Sequence, residues 1–448
     1  MAEPVSAALP IERMSLWESY QAARRNILEI IPDAALDRDI ISGRTGPQRW
    51  HMVMMPEAIR KILLENVENY PKSTATKAVL EPAIGESLFT AEGSNWRWQR
   101  RAAAPAFSAR NVAQLTPVMS AAAEAACKRM EGHLGRGVNC LEEMTSVTYD
   151  IITRVSLGED GTVDRAEASA ALDHYIDQAA RISMLDMVGA PPWIPRPGRK
   201  AAAAQLSHVQ SQLDQAIDER RKSGSSEQID LLDLILDAAD PKSGRAMTTE
   251  EMRHNLLTFI VAGHETTALT LAWALYLLAG DSAAQTRARD EAQAVLGDRI
   301  AEAKDVENLP FIRQVIEESL RLYPPGGFLS RTAQADDELE GAQVRQGDTV
   351  IIPVYGVHRH RKLWDAPNEF RPERWENRSA IDRYQFLPFG DGPRICIGAA
   401  FAMQEAIVIL ASMLARFRFK SIKGKEPKPV IILTLRPEGG VWLEVERV

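Results

Sequence analysis

The 448-residue chain carries 53 Lys plus Arg against 61 Asp plus Glu, a formal net charge of −8, with 45% hydrophobic and 25% charged residues. This acidic balance excludes a surface built to coat nucleic acid, and 27 Gly with 25 Pro are too few for a fibrous or low-complexity chain. Three cysteines, Cys127, Cys140 and Cys396, exclude a multi-bridge framework and a C-x-x-C pair, and suit a reducing, cytoplasmic setting.

The amino terminus shows neither a basic leader with an apolar core nor an apolar run of about 20 residues, so no membrane anchor is expected. A strand is predicted at 50–54. Helical periodicity then predicts helices at 56–69, 96–103, 111–134, 141–157, 166–180 and 199–222. The Pro-rich stretch 190–198, APPWIPRPG, breaks that pattern and reads as a loop over an entrance or, equally, an ordinary surface connection. Further helices are predicted at 248–279, 282–296, 310–322 and 398–417, with strands at 348–353 and along the tail 430–445. The most apolar window, 256–279, carries His264, Glu265, Thr266 and Thr267, which a bilayer would penalise, so it reads as a helix through a large core. No repeat or long linker divides the chain. The expectation is a mainly α protein with minor β, one domain over 1–448.

The segment 386–398, FLPFGDGPRICIG, sets a lone cysteine after a Gly/Pro turn and before an amphipathic helix. A helix N-terminus, free backbone N–H groups and Arg394 are expected to lower the thiol pKa there. Such a thiolate could be a covalent nucleophile or a metal ligand. No convincing partner base is present for the first, and single thiolates do not assemble zinc or iron–sulfur sites. A single axial thiolate on a haem iron fits, whereas Cys127 and Cys140 lie in helical context without a motif and read as structural.

Phe389, Gly392, Arg394, Cys396 and Gly398 match F-x-x-G-x-R-x-C-x-G and so resemble the haem-binding signature of cytochrome P-450 monooxygenases. Three further motifs follow the family's order. Glu318 and Arg321 resemble its E-x-x-R helix, joined by Arg374 from F-x-P-E-R-W (370–375), which implies a buried structural ion network. Trp96 and Arg100, four apart on one helix face, resemble its W-x-x-x-R helix and imply hydrogen bonds to a haem propionate, with Arg331, His358 and Arg394 as further partners. The chain departs from the family in reading His358, Arg359, His360 where His-Arg-Asp is usual. Finally, 262–267 matches A-G-x-[DE]-T-T, which implies that small residues pass over the cofactor while Glu265 and Thr266 relay protons.

The resemblance implies a single-domain fold with haem b between a long central helix and the Cys-ligand loop, O2 as co-substrate, and hydroxylation of a hydrophobic molecule: a fatty acid, terpenoid or aromatic. Gly392 would let backbone approach the porphyrin and Gly398 would let the next helix close against it. PEGGV at 437–441 would close a β-hairpin. The implied pocket is formed by the loop 79–89, Phe259, Ala262, Phe328, Leu329 and Leu433. With no flavin or iron–sulfur segment after 448, electrons are expected from a ferredoxin or flavodoxin and its NAD(P)H-dependent reductase. An acidic ferredoxin would be drawn to Arg97, Arg100, Arg101, Arg359, Arg361, Lys362 and Arg394. A thiolate-haem sensor or carrier is disfavoured by the Glu265–Thr266 pair. A peroxide-rearranging enzyme often loses that pair.

Overall fold

The computed structural model describes residues 3–12, 14–158, 206–224 and 230–448, together with residues 171, 175 and 194. The predicted helix at 166–180 and the Pro-rich loop at 190–198 lie outside these, apart from single positions, and the helix predicted at 199–222 is described from Ser207 to Ser223.

The organising element is the helix Thr249–Gly280, whose first turn is sealed by a capping box: the Thr248 hydroxyl accepts from the Glu251 N–H and Glu251 answers the Thr248 N–H. It is apolar nearly all round, as a helix through a core must be. It packs most extensively on Cys140–Leu157, and Gly263 makes this approach possible, because a Cβ there would lie 2.9 Å from the Ile152 side chain. Ala109–Glu131, Ser282–Leu296, Pro310–Leu322 and Ala399–Leu414 complete the packed core.

The β structure is peripheral. Ile40–Thr45, Gln48–Val53, Thr349–Ile352 and Leu329–Thr332 form one sheet in that order, the middle pair parallel. Three strands, Gly137–Asn139, Trp442–Arg447 and Phe417–Ser421, form a second, and Lys428–Ile431 pairs with Leu435–Glu438. The expected hairpin through 437–441 is therefore corrected. Gly439 and Gly440, both at positive φ, hand the chain from the third sheet to the second.

Residues 61–65 leave the predicted α-helix as a π-helical turn, Lys61–Glu65, and 79–84, read as loop, belong to the helix Thr74–Ile84 despite Pro82. Far from these, the N-terminal segment is stitched across the core by tyrosines. The Val5 N–H donates to Tyr276 Oη (3.2 Å), Tyr323 Oη donates to the Val5 carbonyl (2.6 Å), and the Ala7 N–H donates to Tyr355 Oη (3.0 Å).

Candidate active site

One cavity of about 380 Å³ lies between the middle of the long helix and the segment before Ala399–Leu414. Cys396, Phe389, Ile397 and Gly398 line one wall, and Ala262, Gly263, Thr266 and Thr267 line another. Phe259, Phe328 and Leu329 line it as expected, joined by Leu88, Phe89 and Phe107, which meets Phe259 edge to face at 5.0 Å between centroids. Leu433 does not line it. Leu433 lies in the turn where neighbouring Thr434 reaches toward Glu265, and this takes Leu433 out of the expected pocket.

The cysteine loop is shaped by a close backbone approach. Gly392 has φ +71°, and a Cβ on it would lie 1.9 Å from the Leu63 carbonyl oxygen of the π-helical turn. It therefore seats the loop on that turn. A Cβ at Gly398 would meet nothing within 4 Å, and Gly398 borders the open cavity at the start of the following helix. The Cys396 N–H donates to the Phe389 carbonyl (2.9 Å) and fixes the turn. The expected depression of the thiol pKa is also corrected. Burial pushes the thiol up, opposed by the Gly398 backbone and the charges of Arg100 and Lys72, not by Arg394. The Arg394 guanidinium donates instead to the Ala91 carbonyl (3.1 Å) and Glu92, and stacks 4.5 Å above the Trp96 ring.

Three more cations face the cavity: Lys72, Arg100 and Arg331. None of them has a carboxylate within ion-pair distance among the described residues. Burial holds all three below their ordinary pKa, Lys72 far below and Arg331 down to about 10. Lys72, which sequence reading missed, is paired by a β-bridge to Arg331 and sits 3.2 Å from the Phe89 ring centroid. A lone lysine between Pro71 and Ser73 carries no sequence signal for this. Such orphaned cations around an apolar slot fit an anionic, planar group with an axial thiolate donor.

His358 is placed outside that rim. It is fully buried, its Nε2 accepts from the Leu387 N–H (2.8 Å), its Nδ1 meets the Arg321 carbonyl (3.1 Å), and burial lowers its pKa to about 3. Its ring spends both nitrogens on backbone and is corrected from propionate partner to structural tie. His360, also fully buried, meets the Arg38 carbonyl at 3.3 Å.

Glu318 and Arg321, both 0% exposed, form a two-pronged pair at 2.7 and 2.9 Å. Arg374 joins Glu318 at 3.2 Å, Trp375 Nε1 donates to Glu318 at 3.1 Å, and Arg321 donates to the carbonyls of His358, Pro367 and Glu369. The structure thus brings the three expected members together.

Thr266 Oγ1 donates to the Ala262 carbonyl (2.7 Å) inside the cavity wall. Glu265 points elsewhere: its Oε1 accepts from Thr434 (2.8 Å) and from Arg436 (2.5 Å) on the strand Leu435–Glu438. His264 is core-satisfied, bonding the Ile260 carbonyl.

The expected basic docking face is overturned. Arg97 pairs with Glu68, Arg101 with Asp240, Arg361 with Asp33 and Asp37, and Lys362 with Asp39. Arg359 is buried over the Tyr355 ring at 3.8 Å. Paired charges leave little field to steer a partner.

A second acid sits behind the wall. Glu405, in the helix after Cys396, is 1% exposed with neither oxygen in a well-formed hydrogen bond, and burial raises its pKa to about 8. A lone charge within the apolar run 401–414 was a legible signal for it. Between its unfolded value near 4.5 and about 8 the folded protein keeps a proton that the unfolded chain releases, so stability falls as pH rises through that window. Glu405→Gln should flatten this slope in urea midpoints taken at pH 6 and pH 9. A slope equal to that of the wild type would show that Glu405 is not the group responsible.

A helical fold whose long central helix faces a cysteine loop across a cation-rimmed apolar slot defines a haem-thiolate oxidoreductase. The chain belongs to the cytochrome P450 family, whose model matches residues 37–443. It is 30% identical to cyclooctatin synthase of Streptomyces melanosporofaciens over 92% of this chain and 90% of the relative. It is 33% identical to a cytokinin hydroxylase of Arabidopsis thaliana over 86% and 77%. A crystal structure of the cytochrome P450DA haem domain superposes with a TM-score of 0.80 at 27% identity, covering 97% of this chain and 93% of that one. The protein is a P450 monooxygenase of the haem-thiolate, O2-using kind, and no helix among the described residues is long and apolar enough to cross a membrane.

Proposed function

We propose that residues 1–448 form one catalytic domain that hydroxylates a hydrophobic molecule, fatty-acid-like, terpenoid or aromatic, using haem b. The observation carrying this is the placement of the Cys396 thiol and the Thr266 hydroxyl on one cavity whose other walls are mostly apolar. Cys396 would bind the iron, and Trp96, Arg100, Arg331, Arg394 and Lys72 would hold the propionates. When bound, the haem supplies dioxygen reduction and insertion of one oxygen atom into a C–H bond.

The chain's own part is positioning, exclusion of water and proton handling. Phe259, Phe328, Leu88 and Phe89 displace water and orient an apolar substrate. Thr266 Oγ1, its hydrogen committed to the Ala262 carbonyl, offers lone pairs that order a proton-bearing water in the cavity. Glu265 is the acid that resupplies it, and the hold of Arg436 must loosen when Glu265 turns toward the cavity. Electrons come from a ferredoxin or flavodoxin with its NAD(P)H-dependent reductase, docked with little long-range steering. A cytoplasmic location accords with the free, buried thiols of Cys127 and Cys140.

Turnover of fatty-acid and terpenoid panels under 18O2 with such a reductase system should give a product with one labelled hydroxyl. Product without label would sink the reading. Thr266→Ala should keep substrate binding and reductant consumption but send most of the electrons to hydrogen peroxide, measured as the peroxide-to-product ratio. An unchanged ratio would remove Thr266 from proton delivery.

A further inference from the structure

Residues 85–92 form the part of the cavity wall that contributes Leu88 and Phe89, yet they belong to neither a helix nor a strand. Their internal bonds make only a local turn, the Thr90 and Ala91 N–H groups donating to the Ser87 carbonyl and Thr90 Oγ1 to the Gly85 carbonyl. The segment is held from outside by two amides, Asn255 on the long helix and Gln99 on Gly93–Ala103, each 0% exposed. Asn255 Oδ1 accepts from the Leu88 N–H (2.8 Å), and its Nδ2 donates to Gln99 Oε1 (3.0 Å) and to the Glu251 carbonyl (2.8 Å). Gln99 Nε2 donates to the Glu86 carbonyl (3.2 Å).

The direction of every bond is fixed by its backbone partner. An N–H only donates and a carbonyl only accepts, so neither amide can flip without facing donor to donor or acceptor to acceptor. The segment's two ends are fixed separately. Gly85, at φ +55°, lies so close to the His254 ring that a Cβ would come within 2.3 Å of it, and Arg394 donates to the Ala91 carbonyl at the other end. Among the described residues the amide pair supplies the hydrogen bonds that hold the middle from outside, where Leu88 and Phe89 meet the cavity, with Lys72 over the Phe89 ring.

We propose that Asn255 and Gln99 are positioning residues that set the apolar wall at Leu88 and Phe89, and through it the selection of substrate. They do so without touching substrate or cofactor, and the proposal rests on the haem reading of the cavity. Removing Asn255 leaves the buried Leu88 N–H without its partner, and removing Gln99 releases both the Glu86 carbonyl and the link to Asn255. The segment then moves to find water, and the wall loses its definition.

The test is spectral titration of the holoprotein with two iron-binding probes, imidazole and 4-phenylimidazole. Imidazole needs only the metal position, whereas the phenyl ring needs the apolar wall. Asn255→Leu and Gln99→Leu should each lower the preference for 4-phenylimidazole over imidazole about tenfold, with imidazole affinity unchanged. An unchanged preference in both leucine variants overturns the proposal, as does an equal loss of both probes, which would place the amides in the general integrity of the cofactor site. If Asn255→Leu yields no holoprotein, Gln99→Leu decides. Wild-type protein whose Soret band ignores imidazole would overturn the haem reading instead.

Discussion

Cys396→Ser should abolish the strongly red-shifted Soret band of the reduced CO complex, the largest spectral change expected of any single substitution in this chain. The Cys396 thiol lines the cavity, and a metal ion at the sulfur would displace its proton. A serine hydroxyl in the same place has a far higher pKa and no soft, polarizable donor, so it cannot supply the electron density that sets the band. Cys127→Ser and Cys140→Ser serve as controls. Both thiols are buried in helices away from the cavity, and burial raises both pKa values further from thiolate. Persistence of the band in Cys396→Ser would falsify the ligand assignment outright.

Glu318→Ala should be the most damaging structural change. It leaves Arg321, fully buried, with carbonyl partners but no counter-charge, and it strips acceptors from Arg374, Trp375 and the Arg371 N–H together. Breaking a buried pair from one side costs about 3–5 kcal/mol, against a total stability of roughly 5–15 kcal/mol. Much of the protein should therefore be recovered unfolded or without haem. Glu318→Gln keeps the acceptor oxygen and the shape but not the charge, and should fall between. Urea midpoints and haem-to-protein ratios report both. A Glu318→Ala protein within about 1 kcal/mol of wild type would mean that carbonyl oxygens alone suffice to hold a buried guanidinium.

What the sequence discloses follows from how local each feature is. The helices at 282–296 and 310–322 match their predicted bounds, because a cap or an N-terminal proline and an unbroken period fix them within a few turns. Cys396, Thr266 and the Glu318–Arg321 pair are legible for a similar reason: each belongs to a short, contiguous motif. Features made by distant chain are not. Arg361 and Lys362 look like a docking patch only until Asp33, Asp37 and Asp39, more than 300 positions earlier, are seen to pair with them. His358 was misplaced for the same reason, since its partners are backbone groups of two other segments. The strand Leu329–Thr332 is four residues long and exists through pairing with Thr349–Ile352, which no local pattern announces. The helix Thr74–Ile84 is disguised by two threonines in its first turn and by Pro82 near its end, both poor helix formers.

The tyrosine stitching of the N-terminal segment also sets an order of events during synthesis. Val5 and Ala7 leave the ribosome before their hydroxyl partners, which lie 271, 318 and 348 positions later in the chain. At about 5–20 residues per second, Ala7 waits on the order of tens of seconds before Tyr355 exists. The segment at Val5 and Ala7 is thus fastened late, and until then the tyrosine ends that receive it stand open to water.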